Sequence, residues 1–243
     1  MRVTWEELGW ERVSAGVGRC RLPGWDCTVG LVVGEGRALV IDAGSSLQEG
    51  ARLRAAAEEL AGHRVTHLAL THPHFDHVFG TAAFAGAEVF GAVGIDTVLD
   101  GRVAREELRT DGVRNGLAEA LADEAVDALV VPRHRVSGEW TLDLGGGRQV
   151  LLANVGPGHS AHDLVVLVPG SPEVVFCGDL VEESGEPMAG PDAVPSRWPA
   201  ALDRMLELGG EDARYVPGHG AVVDAGFVRA QRDALAERFG VSR

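Results

Sequence analysis

The chain contains no lysine, so every one of its 22 basic residues is arginine and no amine side chain is available to hold a substrate carboxylate. Cysteine is scarce: Cys20, Cys27 and Cys177 show neither the paired spacing of a metal knuckle nor the even count of a disulfide framework, which favours a reducing compartment. Positive charge is in deficit, with 36 acidic residues against 22 basic and a net charge of -14, a balance that repels nucleic acid and anionic membrane surfaces. The opening stretch "MRVTWEELGWERV" is interrupted by charges and lacks the apolar run of a signal peptide or a membrane span. A cytoplasmic protein acting on a small molecule is expected, with no nucleic-acid or membrane partner; nothing in the sequence sets an oligomeric state.

What is present is ample apolar material. With 243 residues and 45% hydrophobic content, the chain can bury a sizeable core in one large α/β domain or two small ones. "CTVGLVVGEGRALVIDAG" reads as a hairpin turning on glycine, "SSLQEGARLRAAAEELAGH" as a helix with a serine cap and a terminal glycine, and "VTHLALTH" as a strand. "HVFGTAAFAG" suits a short helix before the strand "AEVFGAV", and residues from about 95 to 128 look mainly helical. The second half supplies the strand-like runs "EWTLDL", "RQVLLANV", "DLVVLVPG" and "EVVFCGDLV", then helices over about 197–209 and 225–239. Two hairpin-rich sets, each closed by helix, favour two sheets packed face to face with helices outside.

The polar residues that stand out are in "LALTHPHFDHVFG", residues 68–80, where three histidines and an aspartate follow an apolar strand. On an extended segment His72, His74 and Asp76 point to one side, with Pro73 biasing His72 toward extended geometry, while His77 falls where the chain turns. Neutral imidazole and carboxylate suit zinc or another divalent first-row metal. Asp76 as a helix cap among solvated histidines is the alternative. Three later strand-to-loop junctions carry more such groups: His159 in "VGPGHSAHD", Asp179 in "VFCGDL" and His219 in "YVPGHG".

With Asp42 of "VIDAG", "HPHFDH", "GHS", "CGDL" and "PGHG" in this order, the chain resembles the metallo-β-lactamase fold superfamily of hydrolases over most of its length. The resemblance implies a single domain over residues 1–243 with an α/β (α+β) fold, a four-layer αββα sandwich of two mixed β-sheets with helices outside. It also implies a two-metal site at one edge, most simply two Zn²⁺ per chain, with iron or manganese as alternatives. Carried over, His72, His74 and His159 hold one metal, Asp76, His77 and His219 the other, and Asp179 bridges them; Asp42 supports the motif loop or is a strand-end turn residue. The implied activity is hydrolysis of an ester, thioester, lactone or related bond by a metal-bridging hydroxide, with Asp76 as the catalytic residue.

Among relatives, β-lactam cleavage is disfavoured by Glu182, three residues beyond Asp179, where lysine-bearing β-lactamases carry their anchor. Glyoxalase II is disfavoured because only 24 residues follow His219, and the lactonase branch by the lack of a tyrosine shortly after Asp179, the sole tyrosine being Tyr215. A mononuclear-iron persulfide dioxygenase-like enzyme and a non-catalytic metal-binding or regulatory protein of the same fold remain as alternatives. The non-periodic segment 182–198 is expected to wall the pocket, with Trp5, Trp10 and Trp25 as a further wall or as core. His162 reads as an exposed loop histidine before a pocket residue, Cys177 as core before a thiol near the metals, and Arg197 as a helix-start ion pair or a partner for a substrate anion.

Overall fold

The apolar runs around the "GEG" turn pair as expected: β3 (Thr28–Val33) and β4 (Ala38–Ile41) run antiparallel, with Leu31 opposite Val40 and Val32 opposite Leu39. Gly36 takes φ 75° in the turn, which Gly34 N closes by donating to Arg37 O at 2.9 Å. The computed structural model describes residues 3–241. After β4 comes α1 (Leu47–Ala61), where Ser46 Oγ accepts from Glu49 N and Gly62 closes the helix at φ 74°.

Ahead of β3 stand β1 (Glu11–Ser14) and β2 (Val17–Arg21); beyond α1 follow β5 (His67–Ala69), α2 (Phe75–Val78), β6 (Glu88–Ala92), α3 (Asp96–Leu99), α4 (Arg102–Arg114), α5 (Glu119–Ala128) and β7 (His134–Val136). The second half holds β8 (Glu139–Asp143), β9 (Gln149–Asn154), β10 (Leu164–Val168), β11 (Val174–Glu182), α6 (Trp198–Gly209), β12 (Arg214–His219) and α7 (Ala225–Phe239). β1 to β7 form one sheet in sequence order, and the other runs β12-β11-β10-β9-β8. Both are mixed, antiparallel from β1 to β4 and parallel from β4 to β7, with β12 joining β11 in parallel.

Burial explains the layering. Val32, Leu39, Ile41 and Phe90 of the first sheet pack on Val150, Leu152, Val166 and Phe176 of the second. The outer face of the first sheet gathers Val29, Leu31, Val40 and Leu68 with Leu53 and Ala57 of α1 and Ala122 and Ala125 of α5. That of the second gathers Val165, Val175 and Tyr215 with Leu202 and Met205 of α6 and Val228 and Leu235 of α7. The result is an αββα sandwich. No helix of the described residues is long and apolar enough to cross a membrane.

Several local expectations are corrected. The strand expected over "VTHLALTH" is only His67–Ala69, because by Thr71 the backbone N–H donates to the Asp42 side chain instead of a neighbouring strand. The short helix falls earlier than expected, at Phe75–Val78, followed by a 3₁₀ turn at Thr81–Phe84. Asp76 and His77 are therefore on a helical turn, and His72, His74 and Asp76 do not share one extended segment. β1, β2 and β7, short or half-exposed, carried too little apolar alternation to be read in advance.

Candidate metal centre

The polar residues gather beyond the C-terminal ends of β4, β5 and β9, along the end of β11, and at the last residue of β12. His72 and His74 lie on the loop after β5, His159 on the loop from β9 to β10, and Asp179 within β11. The register of β11 against β12 slips on either side of Gly178, which has φ 53°, and such an irregularity re-aims the side chains beside it. A Cβ on Gly218 would fall 1.9 Å from Asp179 Oδ1, so the backbone of β12 can pass the carboxylate only as glycine.

Asp179 is the centre of the cluster. Its Oδ2 is 3.6 Å from His72 Nε2, 3.5 Å from His159 Nε2 and 3.2 Å from His219 Nε2, and its Oδ1 is 3.1 Å from His77 Nε2. His159 Nε2 also lies 3.0 Å from His74 Nδ1, and Asp76 Oδ2 sits 3.4 Å from His219 Nε2 and 3.7 Å from His77 Nε2. His72, His74, His159 and Asp179 thus place one donor atom each within 4.8 Å of one another, as do His77, Asp179 and His219. All seven side chains expected from the sequence are brought together. All are buried except His74, which is partly exposed.

The donors that face inward are prepared to bind a cation. Asp42 Oδ2 accepts from His77 Nδ1 at 2.8 Å, Met188 O stands 3.1 Å from His159 Nδ1, and Asp192 Oδ2 is 3.0 Å from His74 Nε2. Each contact engages the far nitrogen of its ring and turns the other toward the cluster. His72 Nε2 and Asp179 Oδ1 are buried with no hydrogen-bond partner; the latter lies close to His77 Nε2 but is not aligned for a hydrogen bond. A buried imidazole lone pair and carboxylate oxygen left in this way carry a desolvation cost that a divalent cation offsets. The nitrogen and oxygen donor set suits zinc and its first-row neighbours.

The charges divide the histidines into two groups. Burial lowers His72 well below the ordinary imidazole value and His159 to about 4, so both present neutral rings. Burial also acts on His219 and His77, but Asp179 lifts His219 to about 9, and Cys27 with Asp179, Asp76 and Asp42 lifts His77 well above the ordinary value. Burial would raise Asp179, yet His77, His72 and His219 hold it well below the usual carboxylate range. Glu182 lies near the cluster, and burial together with Asp179 raises it to about 7.

The cluster opens into a cavity of about 1320 Å³. Its lining includes Trp25, residues of α4, His162, Glu182, and Met188 to Asp192 except Ala189, so part of the 182–198 segment forms a wall as expected. Trp5 and Trp10 belong to the core on the outer face of the first sheet, and among the tryptophans expected at the wall only Trp25 reaches it. Cys177 is core: its thiol donates to Val175 O, away from the cluster. The cysteine at the centre is Cys27, whose Sγ donates to Asp76 O at 3.2 Å and lies 3.8 Å from His77 Nε2. Arg197 stands exposed at the start of α6 and does not line the cavity. Sequence reading missed Cys27, Asp192 and Met188; distance along the chain and the lack of periodicity in their segments left no signal for them.

The family model for the metallo-beta-lactamase superfamily matches residues 22–219. A hydroxyacylglutathione hydrolase of Nitrosococcus oceani is 27% identical over 158 residues, 65% of this chain and 49% of that protein; the chain spans about half the length of this curated relative. Among solved structures, TMB-1 superposes with a TM-score of 0.69 at 22% identity, covering 95% of this chain and 97% of the other. A metallo-beta-lactamase from Pontibacter korlensis gives 0.67 at 21% identity, over 93% and 97% of the two chains. At that identity these two structures speak for the fold.

Proposed function

This chain belongs to the metallo-beta-lactamase superfamily, and from that premise we propose that it is a hydrolase acting at a pair of divalent cations, zinc in the first instance, on an ester, thioester, lactone or related bond of a small molecule. His72, His74 and His159 would hold one cation and Asp76, His77 and His219 the other, with Asp179 available to both. The observation that carries the reading is the position of Asp179, within 3.6 Å of histidine nitrogens from both groups. When bound, such a pair of cations lowers the pKa of water and polarises the oxygen of the bond under attack.

The chain's own residues do the rest. Asp76, beside both His219 and His77 and on the wall of the cavity, receives the proton of the attacking water and returns it to the leaving group. Asp42, Asp192 and the Met188 carbonyl keep His77, His74 and His159 in the orientation that presents the inward nitrogen. Glu182, ionised only above about pH 7, and Asp192, engaged by His74, offer no positive anchor for a substrate carboxylate, which counts against β-lactams whatever the fold similarity. The curated relative is named for hydroxyacylglutathione, an acyl thioester, and supports including thioesters. A single-iron oxygenase would need only the first group; the 3.1 Å and 3.2 Å approaches of His77 and His219 to Asp179 favour two cations.

The test is metal analysis of the purified protein joined to a panel of esters, thioesters and lactones. Two equivalents of zinc and turnover abolished by chelation, restored by zinc, are expected, and His74→Ala should lose metal and turnover together. Turnover that survives complete chelation overturns the reading; full occupancy without turnover on any substrate points to a binding protein.

A further inference from the structure

The cavity is larger than the bond to be cleaved requires: about 1320 Å³, where pockets for drug-sized ligands run from roughly 300 to 1,000 Å³. The ligand cluster lines one part of it, and α4 with the Met188–Asp192 stretch lines much of the rest, so a substrate with its reacting bond at the cluster has these walls for its remainder. The most exposed large apolar side chains among the described residues are Val103, at 69%, and Met188, at 68%, and both line this cavity. Single exposed apolar residues are ordinary on a protein surface, but two that face the same concavity have a shared partner to meet.

Further apolar residues line the same cavity. Leu108 of α4 and Phe75 of α2 form part of the lining, and Trp25 packs edge-on against Phe75 with ring centres 5.3 Å apart. Trp25 is fixed there by its indole N–H, which donates to Asn115 O just beyond α4 at 3.1 Å. The charged residues of the α4 wall are of both signs, Arg102 and Arg114 against Glu106, Glu107 and Asp111, while Glu182 and Asp192 are acidic. An anionic tail finds no coherent positive field in such a wall, and an uncharged alkyl chain has Val103, Leu108, Phe75 and Met188 to lie against.

We infer that the α4 wall and Met188 bind an apolar acyl chain, making the substrate an uncharged acyl ester or thioester of medium chain length; the substrate class rests on the hydrolase reading, whereas the wall itself does not. Burial of a methylene stabilises by about 0.8 kcal/mol, so kcat/KM should rise by up to roughly fourfold for each one added while the chain still covers the wall.

The experiment compares acetyl, butyryl, hexanoyl and octanoyl esters of one alcohol with the zinc-loaded protein, alongside Val103→Ser and Met188→Ser. Both positions are exposed, so the substitutions leave the core intact. The inference expects a rising series whose octanoyl-to-acetyl ratio drops several-fold in either variant. A flat series in an active enzyme, or a slope unchanged in both variants, overturns it and leaves the hydrolase reading standing. Calorimetric binding of the corresponding straight-chain alcohols is read without turnover. If no ester is cleaved but alcohol affinity climbs with length and falls in the variants, the ester substrate is overturned and the apolar wall stands; if alcohol affinity is flat as well, the wall is refuted.

Discussion

Asp42 and His77, thirty-five residues apart in sequence, meet as a fully buried pair, with Asp42 Oδ2 accepting from His77 Nδ1 at 2.8 Å. The same carboxylate takes Thr71 N and Thr71 Oγ1, each at 2.8 Å, and so ties the end of β4 to the loop that carries His72 and His74. Asp42 has φ 64°, a conformation that asparagine tolerates and alanine does not. Asp42→Asn should therefore keep the fold while weakening zinc binding by His77's group roughly 10- to 100-fold, as is usual when a carboxylate behind a ligating histidine is lost. Competition with a chromophoric chelator measures this, and unchanged affinity for the second equivalent would contradict it.

Gly218→Ala tests the closest approach in the centre. The added Cβ would fall 1.9 Å from Asp179 Oδ1, an overlap that must move either the carboxylate or β12. Zinc stoichiometry should fall below two while far-ultraviolet circular dichroism is preserved, at a stability cost of about 1–3 kcal/mol. Full zinc retention would show that Asp179 is not needed where the structure puts it.

Asp192 has a milder role. It contacts His74 Nε2 at 3.0 Å from an exposed position, so Asp192→Ala should raise the dissociation constant of the first equivalent about tenfold, and Asp192→Glu should recover part of the loss. Zinc should also protect the segment from Glu183 to Arg197 against proteolysis in the parent protein and less so in Asp192→Ala. Equal protection in the two would separate the segment from the ligand.

Asp163 links the centre's scaffold to pH. Burial raises its carboxyl from 3.8 to about 7, although Ser160 N and Ser160 Oγ donate to it and pull the other way. Its contribution to stability is fully present below the unfolded value near 3.8 and is lost as pH rises through about 7, because the unfolded carboxyl releases its proton first. Between those limits it lowers stability by up to about 1.4 kcal/mol per pH unit. Denaturant unfolding of the parent and of Asp163→Asn across this range should differ by that slope, and parallel profiles would remove Asp163 from the account.

Much of this was legible because costly groups stood where apolar strands end. His72, His74, His159, Asp179 and His219 each break or close a run of β-rich residues, and burying such groups makes sense only around a shared partner. The sandwich was legible from the hairpin at Gly34–Arg37 and the long apolar runs of β10 and β11. The illegible parts are those set by contact across the chain. Asp76 reads as extended beside His74, yet it sits in α2, because proline at 73 constrains its predecessor and leaves the residues after it free to turn. Cys27 and Cys177 are indistinguishable by composition, and only the bridge between Cys27 and His219 decides which thiol reaches the histidines. Met188 and Asp192 belong to a stretch with no period from which to predict a facing.

That stretch has two duties: it shapes the entrance for substrate, and through the Met188 carbonyl and the Asp192 carboxylate it steadies His159 and His74. Changes there that remove the Asp192 carboxylate or shift the backbone at Met188 alter the entrance and the grip on the cations together. α4, with no hydrogen bond to those histidines among the described residues, is free of that coupling. Laboratory evolution toward new substrates should therefore accumulate its tolerated changes on the helix and spare the loop.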